Sequence, residues 1–429
     1  MKNFFLFFSS LLTSFATHSQ PIVHVTSSGA GDKSGTSWSN ALPGTQLPNQ
    51  VATASAGTQF WVAAGTYKPT TTTDRSPFQI ASGVQLYGGF SGSETSLSSR
   101  RLTQPSSTTL SGDIGILNNT SDNSISVVEF VQVSENTRLD GVVITGGNAK
   151  ETFPYGGGIS NRSFPNLPAN NYSAPTISNC TITGNSAYFG GGIFSATFTD
   201  NSKSLSIINC IIENNTAEYG GGGVALIRGN LAMVNTKIVN NTGGGFVNGL
   251  DGYDGNPTLV NCLIAGNSSL SGGGIVDNNG HMVLTNCSIV NNHAQLYGGG
   301  IVSDTSAARA TPHLLLTNCF IWGNTALYDR GIQTNIRHFS VTYSIIQDGY
   351  PGIGNLTTDP LFVDRINYDF RLNPNSPAIN AGDPTSTGLP ITDLAGLPRI
   401  QGGRVDIGAY EFTSCFGLPC LPFFVEKKK

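Results

Sequence analysis

The sequence predicts an all-β chain wound as a parallel β-helix, with a short N-terminal cap and a distinct C-terminal segment. Three observations predict it. A seven-residue motif built on Asn-Cys returns at intervals of 25 to 32 residues, a Gly triplet follows five of its six copies, and no helical periodicity lies between them. Fixed short segments separated by elastic ones are strands joined by variable loops, and three strands per turn describe one coil of such a helix.

The elements follow in chain order. Residues 1–19 read as a signal peptide: Lys2, the apolar run from Phe4 to Leu12, then Thr17 and Ser19 before a cut at Gln20. Residues 20–138 form the cap and the first, irregular coils. Leu47, Val51 and Ala54 mark one face of a short helix, and strand-like runs occupy Phe60–Ala63, Val84–Tyr87 and Val127–Val133. Residues 139–358 carry the regular repeat. Its copies are Asn179–Asn185, Asn209–Asn215, Asn235–Asn241, Asn261–Asn267, Asn286–Asn292 and Asn318–Asn324.

Within each copy Cys and the Ile two residues on share one strand face and point inward; Thr236 replaces the thiol in the third copy. Stacked at about 4.8 Å, the copies predict a structural ladder of Cys180, Cys210, Cys262, Cys287 and Cys319. Asn185, Asn215, Asn241, Asn267, Asn292 and Asn324 form a second ladder, with amides bonding up and down the stack. The Asn before each Cys is expected to bend the chain through a left-handed backbone, and the Asn five past it to make the next bend. Residues 359–412, richer in charge, form the C-terminal segment, and 413–429 a short tail.

Composition removes several function classes. Charged residues are 11% and the net charge is −4, so nucleic acid finds no basic footprint. Past the leader no apolar run reaches the ~18 residues of a membrane span. With 53 Gly and 21 Pro in 429 residues the chain falls short of low-complexity disorder.

The Ile-x-x-Asn and Gly-Gly-Gly-Ile elements resemble the repeats of polymorphic outer-membrane proteins, with Ile in place of Phe, over Gly141 to Ile332. The stretch Asn375-Ser376-Pro377-Ala378-Ile379-Asn380-Ala381-Gly382-Asp383, followed by Gly402-Gly403-Arg404-Val405-Asp406-Ile407-Gly408-Ala409-Tyr410-Glu411, resembles the choice-of-anchor Q domain of bacterial surface proteins. That resemblance implies a right-handed β-helix, secreted or held at the outer membrane or cell surface of a Gram-negative bacterium. Thr413–Lys429 is too short for the sorting element that follows the domain in that family.

Chemistry is sparse. There is no Gly-x-Ser-x-Gly elbow and no His-Glu-x-x-His, and the six His are scattered along the chain. The Gly triplets precede strands and carry no phosphate-loop Lys. Cys415 and Cys420 would pair or stay free with equal ease. Asp277 and Asp304, two and three residues past Ile275 and Ile301, are the catalytic alternative, with Asp251 and Asp254 one coil earlier. Side chains about 5 Å apart would suit Ca²⁺ or a retaining glycosidase pair. No other cofactor is expected. Tyr155, Phe189, Tyr219, Tyr297 and Tyr328 stand immediately before a Gly triplet or its counterpart, and Tyr219, Tyr297 and Tyr328 are the ligand-binding candidates. The reading is a secreted or surface β-helix with a non-catalytic adhesive or structural role toward glycans or cell-surface partners. The alternative is a carbohydrate-active enzyme, a polysaccharide lyase or glycoside hydrolase, using the Asp column.

Overall fold

A computed structural model describes residues 20–413, apart from 71–73, 103–107, 151–154, 165–171, 198–202, 250–254, 279, 305–312 and 335–337; of Asp304 and His338 it describes the backbone alone. The expected signal peptide at residues 1–19, Asp251, Asp254, Cys415 and Cys420 lie outside the described residues.

Each coil contributes one strand to each of three parallel sheets, making a right-handed parallel β-helix. The coil at residues 176–196 shows the plan. Thr176–Ser178 lies in sheet 1, Thr181–Thr183 in sheet 2 and Ile193–Ala196 in sheet 3, while Ser186–Phe189 forms a short ribbon between the last two. Register is exact from coil to coil: Ile177 pairs with Ile207, Ile182 with Ile212 and Ile193 with Val224. These inward residues are fully buried and form one continuous core along the axis. The apolar residue three before each Cys therefore belongs to sheet 1 and the Cys to the corner beyond it.

One left-handed residue turns each of the two corners that flank sheet 2. Asn179, Asn209, Asn235, Asn261, Asn286 and Asn318, each before the Cys position, have φ between 50 and 56°. The second bend departs from the sequence expectation. It falls on Gly184, Asn214, Asn240, Gly266, Asn291 and Gly323, one residue before the Asn expected to make it. That Asn turns its side chain into the core instead. Asn241 Nδ2 donates to Asn267 Oδ1 at 3.0 Å and to Ile212 O at 3.0 Å, while Asn241 Oδ1 accepts from Asn215 N at 3.0 Å and Asn215 Nδ2 at 3.1 Å. The same pattern runs from Asn185 to Asn324. All six side chains are buried, so the ladder is a closed polar column inside an apolar core.

The thiols form a parallel column at the preceding corner, all buried and unpaired. Each Sγ faces the carbonyl two residues earlier, as Cys262 does Val260 O at 3.3 Å, and Thr236 Oγ1 makes the same bond to Val234 O at 3.0 Å. A hydroxyl thus substitutes for the thiol without leaving the rung. Burial pushes the Cys180, Cys262 and Cys319 thiols well above their ordinary range. The Gly triplets arise from close backbone approach: a Cβ on Gly191 would sit 2.4 Å from Thr216 O.

At the N-terminal end α1, Leu47–Thr53, buries Leu47 and Val51 in the core. At the other end the C-terminal segment lies against the outside of sheet 2. Phe370, Leu372, Ala378, Ile407, Ala409 and Tyr410 pack on the outward Leu263, Ala265, Val290, Phe320 and Ile345. Asn286 Nδ2 donates to Asp406 O at 2.9 Å, and Gly408 N donates to Asn318 O at 2.8 Å. Gly408 has φ +94°, and a Cβ there would come 2.2 Å from the Phe320 ring. Arg399 and Glu411 pair at 3.2 Å in full burial, which pushes Glu411 up to about 8. The Asp-Ile-Gly-Ala-Tyr-Glu run is thus a clamp onto the helix.

Two outcomes test this account. Asn241→Ala strips partners from Asn215 and Ile212 inside the core and should cost about 3 to 5 kcal/mol in denaturant unfolding; a loss under 1 kcal/mol would show the ladder is not closed. Thiol labelling of the native protein should leave the five ladder Cys unmodified for as long as the fold persists, and denaturation should release five additional reactive thiols.

Candidate functional site

Two features of the helix surface and interior bear on chemistry. The first is the edge where the ribbon meets sheet 3. The Gly triplets turn the chain sharply there, so the residue before each is thrown outward. Tyr155 and Phe189 are half-buried in a stack that continues to Tyr219 at 5.6 Å between centroids. Tyr297 and Tyr328 stack at 5.2 Å with an interplanar angle of 23°. Tyr219 is 65% exposed, Tyr297 42% and Tyr328 52%, so mutual stacking consumes only part of each ring. Leu270, Leu296 and Leu327, each next in sequence to a residue of that register position, are also exposed. Glu218 beside Tyr219 raises its phenol.

The row is interrupted across two successive coils. In the coil with Thr236 a single residue, Thr242, separates the ladder Asn from the Gly triplet, and in the next coil Ser271 stands before the triplet and pairs with Tyr297, so neither supplies a ring. Thr242 bridges Thr216 and Ser268. Beyond Tyr328, a cleft of about 320 Å³ opens between Leu327, Asp329, Arg330, Asp348 and Tyr350, with Arg330 and Asp348 paired at 3.1 Å. Polar groups therefore stand at the end of an aromatic platform, an arrangement suited to a ligand with flat apolar faces and a hydroxylated rim.

The second feature is the carboxylate column, and here the expectation is corrected. Asp277 pairs in register with Ser303, while Asp304 pairs with Asn278. Strand alternation places Asp277 and Asp304 at positions of opposite parity, so they do not form a facing pair. Asp277 points into the core with 0% exposure. Its row runs Asn161, Ser195, Leu226, Asn248, Asp277, Ser303 on successive coils. Asn248 Nδ2 donates to Asp277 Oδ1 at 2.7 Å and to Gly255 O at 3.1 Å. Desolvation pushes the Asp277 carboxyl up to about 6, against the pull of its hydrogen bonds. This buried polar row was legible: it is the residue two past the apolar residue that follows each Gly triplet. Among the described side chains no three His, Cys, Asp or Glu gather around a common point. Among the described residues no helix is long and apolar enough to cross a membrane.

Residues 28–310 match the family described as protein of unknown function (DUF1565). The chain belongs to that family. No curated protein matches it. Among solved structures it is similar to the crystal structure of pectate lyase Pel9A, with a TM-score of 0.54 and 14% identity over 92% of this chain and 97% of that one. At that identity the likeness is one of fold. The family description carries no activity, so the surface itself must supply the functional reading.

Asp277 gives a pH test. Its folded carboxyl titrates near 6 and its unfolded one near 3.8, so the fold binds the extra proton between these values. Stability from this group is present at pH 4 and lost as pH rises through 6, on the order of 2 to 3 kcal/mol. Asp277→Asn should therefore gain that much on the parent between pH 4 and pH 7 in paired denaturant titrations; equal slopes would place the carboxyl in water.

Proposed function

We propose that the protein is a secreted or cell-surface β-helix with a non-catalytic, adhesive or structural role, and that it binds glycans along the aromatic edge. The observation that carries the reading is the set of exposed rings Tyr219, Tyr297 and Tyr328 on one edge of a rigid prism, the last two stacked on adjacent coils. Sugar rings present apolar faces that stack on such platforms, and the carboxylates and Arg330 of the adjacent cleft would meet hydroxyls at the end of the row. The leader, the low charge, and the resemblances to polymorphic outer-membrane repeats and to the choice-of-anchor Q domain support a bacterial surface location.

The second reading, a carbohydrate-active enzyme, draws on the likeness to a pectate lyase and on the raised Asp277 carboxyl. Full burial of Asp277 gives a polysaccharide no access to it, which favours the binding reading. A panel of neutral and acidic polysaccharides, with and without Ca²⁺, separates the two. Binding without new chain ends is expected. The triple Tyr219→Ala, Tyr297→Ala, Tyr328→Ala variant should bind about 100-fold more weakly, at about 1 kcal/mol per ring. Depolymerisation abolished by Asp277→Asn or Asp304→Asn would overturn the non-catalytic role, and unchanged affinity in the triple variant would remove the aromatic edge from it.

A further inference from the structure

A second cleft, of about 230 Å³, opens on the outer face of sheet 3 at its first coils. Strand pairing builds its floor. Glu129 pairs in register with Ser160, and Val131 with Arg162. Ile159 and Asn161, which alternate with Ser160 and Arg162 along the strand, are buried inward, so Ser160 and Arg162 face out into the cleft. Ser160 is only 2% exposed, and its Oγ has no hydrogen-bond partner among the described residues. Arg162 Nε is likewise buried and unpartnered among them, while Arg162 Nη2 pairs with Glu129 Oε1. Gln79 Nε2 donates to Glu129 Oε2 at 3.3 Å, which holds the carboxylate from its other side. Tyr155 forms one wall. Its ring stacks on Phe194 at 4.6 Å between centroids and its backbone bridges Phe189, so the cleft stands at the N-terminal head of the aromatic edge.

We propose that this cleft binds the terminal residue of a neutral glycan. The inference rests on the glycan reading above and narrows it to a ligand class and a place. A sugar hydroxyl both donates and accepts, and the cleft offers both roles: Ser160 Oγ and Arg162 Nε as donors, the remaining lone pairs of Glu129 as acceptors. Buried donors without a partner are costly, and a ligand hydroxyl would satisfy both of these. Charge decides against an anion. Asp74 and Glu129 offset Arg75 and Arg162 in the lining, and Arg75 already donates to Asn123 O at 2.6 Å and to Asn148 O at 2.8 Å. A carboxylate or sulfate reaching for Arg162 would meet the charge of Glu129 beside it. The face of Tyr155 matches the apolar face of a sugar ring. Size limits the ligand as well: 230 Å³ lies below the ~300 to 1,000 Å³ of clefts that enclose drug-sized molecules, so one ring fits and a chain does not.

The test titrates the full-length protein, followed by NMR saturation transfer, with the methyl glycosides of glucose, galactose, mannose, xylose and N-acetylglucosamine. Methyl glucuronoside is the charged control. At least one neutral glycoside should bind with a Kd tighter than about 10 mM, and more tightly than the glucuronoside. Ser160→Ala should weaken that binding about fivefold, the worth of one hydrogen bond, yet melt no lower than the parent, because it removes a buried hydroxyl that has no protein partner. Tyr155→Leu keeps an apolar wall but loses the flat ring, and should also cost about fivefold. The triple Tyr219→Ala, Tyr297→Ala, Tyr328→Ala variant should bind the glycoside as the parent does, so cleft and edge are read separately. Polysaccharide binding with no glycoside binding would overturn the cleft and leave the edge standing. Glycoside binding unchanged in both Ser160→Ala and Tyr155→Leu would overturn the cleft too, and preference for the glucuronoside would overturn the neutral class.

Discussion

The structure depends on a column of carboxamides inside a hydrocarbon core. From Asn185 to Asn292 each ladder Asn is buried with both donor hydrogens and its oxygen engaged, one rung donating to the next and also to a carbonyl of the preceding coil, and the column ends on Asn324, which donates to Ile289 O. A buried amide is tolerated only when satisfied, and it is satisfied only when the neighbouring coil presents the same residue at the same height. Apolar columns alone would permit a coil to slide; the amides do not. Unbroken register along sheet 2, from Ile144 pairing with Ile182 to Ile321 pairing with Ile346, follows from this constraint.

Once register is locked, other columns become available to chemistry. The corner before sheet 2 accepts a thiol or a hydroxyl, because either hydrogen reaches the same carbonyl. The corner before sheet 3 requires glycine, because successive coils lie backbone against backbone there. That tight corner is also what expels the residue before it, so the exposed Tyr row is a by-product of the same packing that fixes the Gly triplets. Loop variation is greatest in the passage from sheet 3 to sheet 1, and in one coil that loop is absent: Val224–Val234 runs through both sheets as a single strand, bent at Gly229.

The C-terminal segment exploits a change in the outer face of sheet 2. Early coils show Thr181, Ile211 and Lys237 there, whereas later ones show Leu263, Val290 and Phe320, which are buried on docking. The left-handed Asn residues that turn the corner then act twice, bending the chain and donating side-chain amides to the segment, as Asn261 does to Thr392 O at 2.9 Å. Charge inside the clamp is costly: Arg399 faces Glu411 with Asp393 and Asp406 close by, and burial raises both Glu411 and Asp406.

Much of this was written in local spacing. The Cys-to-Asn interval of five, the Gly triplet and the alternating apolar residues determined the coil, its inward faces and its ladders, because each is a property of a few consecutive residues repeated. What spacing did not determine was parity and phase over longer distances. Asp277 and Asp304 looked like a pair when counted from their Ile residues, yet one residue of difference on a strand exchanges faces. The bend was assigned one residue late, because Asn serves both as a left-handed turn residue and as a buried amide, and only the stack decides which. The docking of the C-terminal segment was decided by tertiary structure alone, because its seat is made of outward residues from separate coils that meet only once the stack is in register.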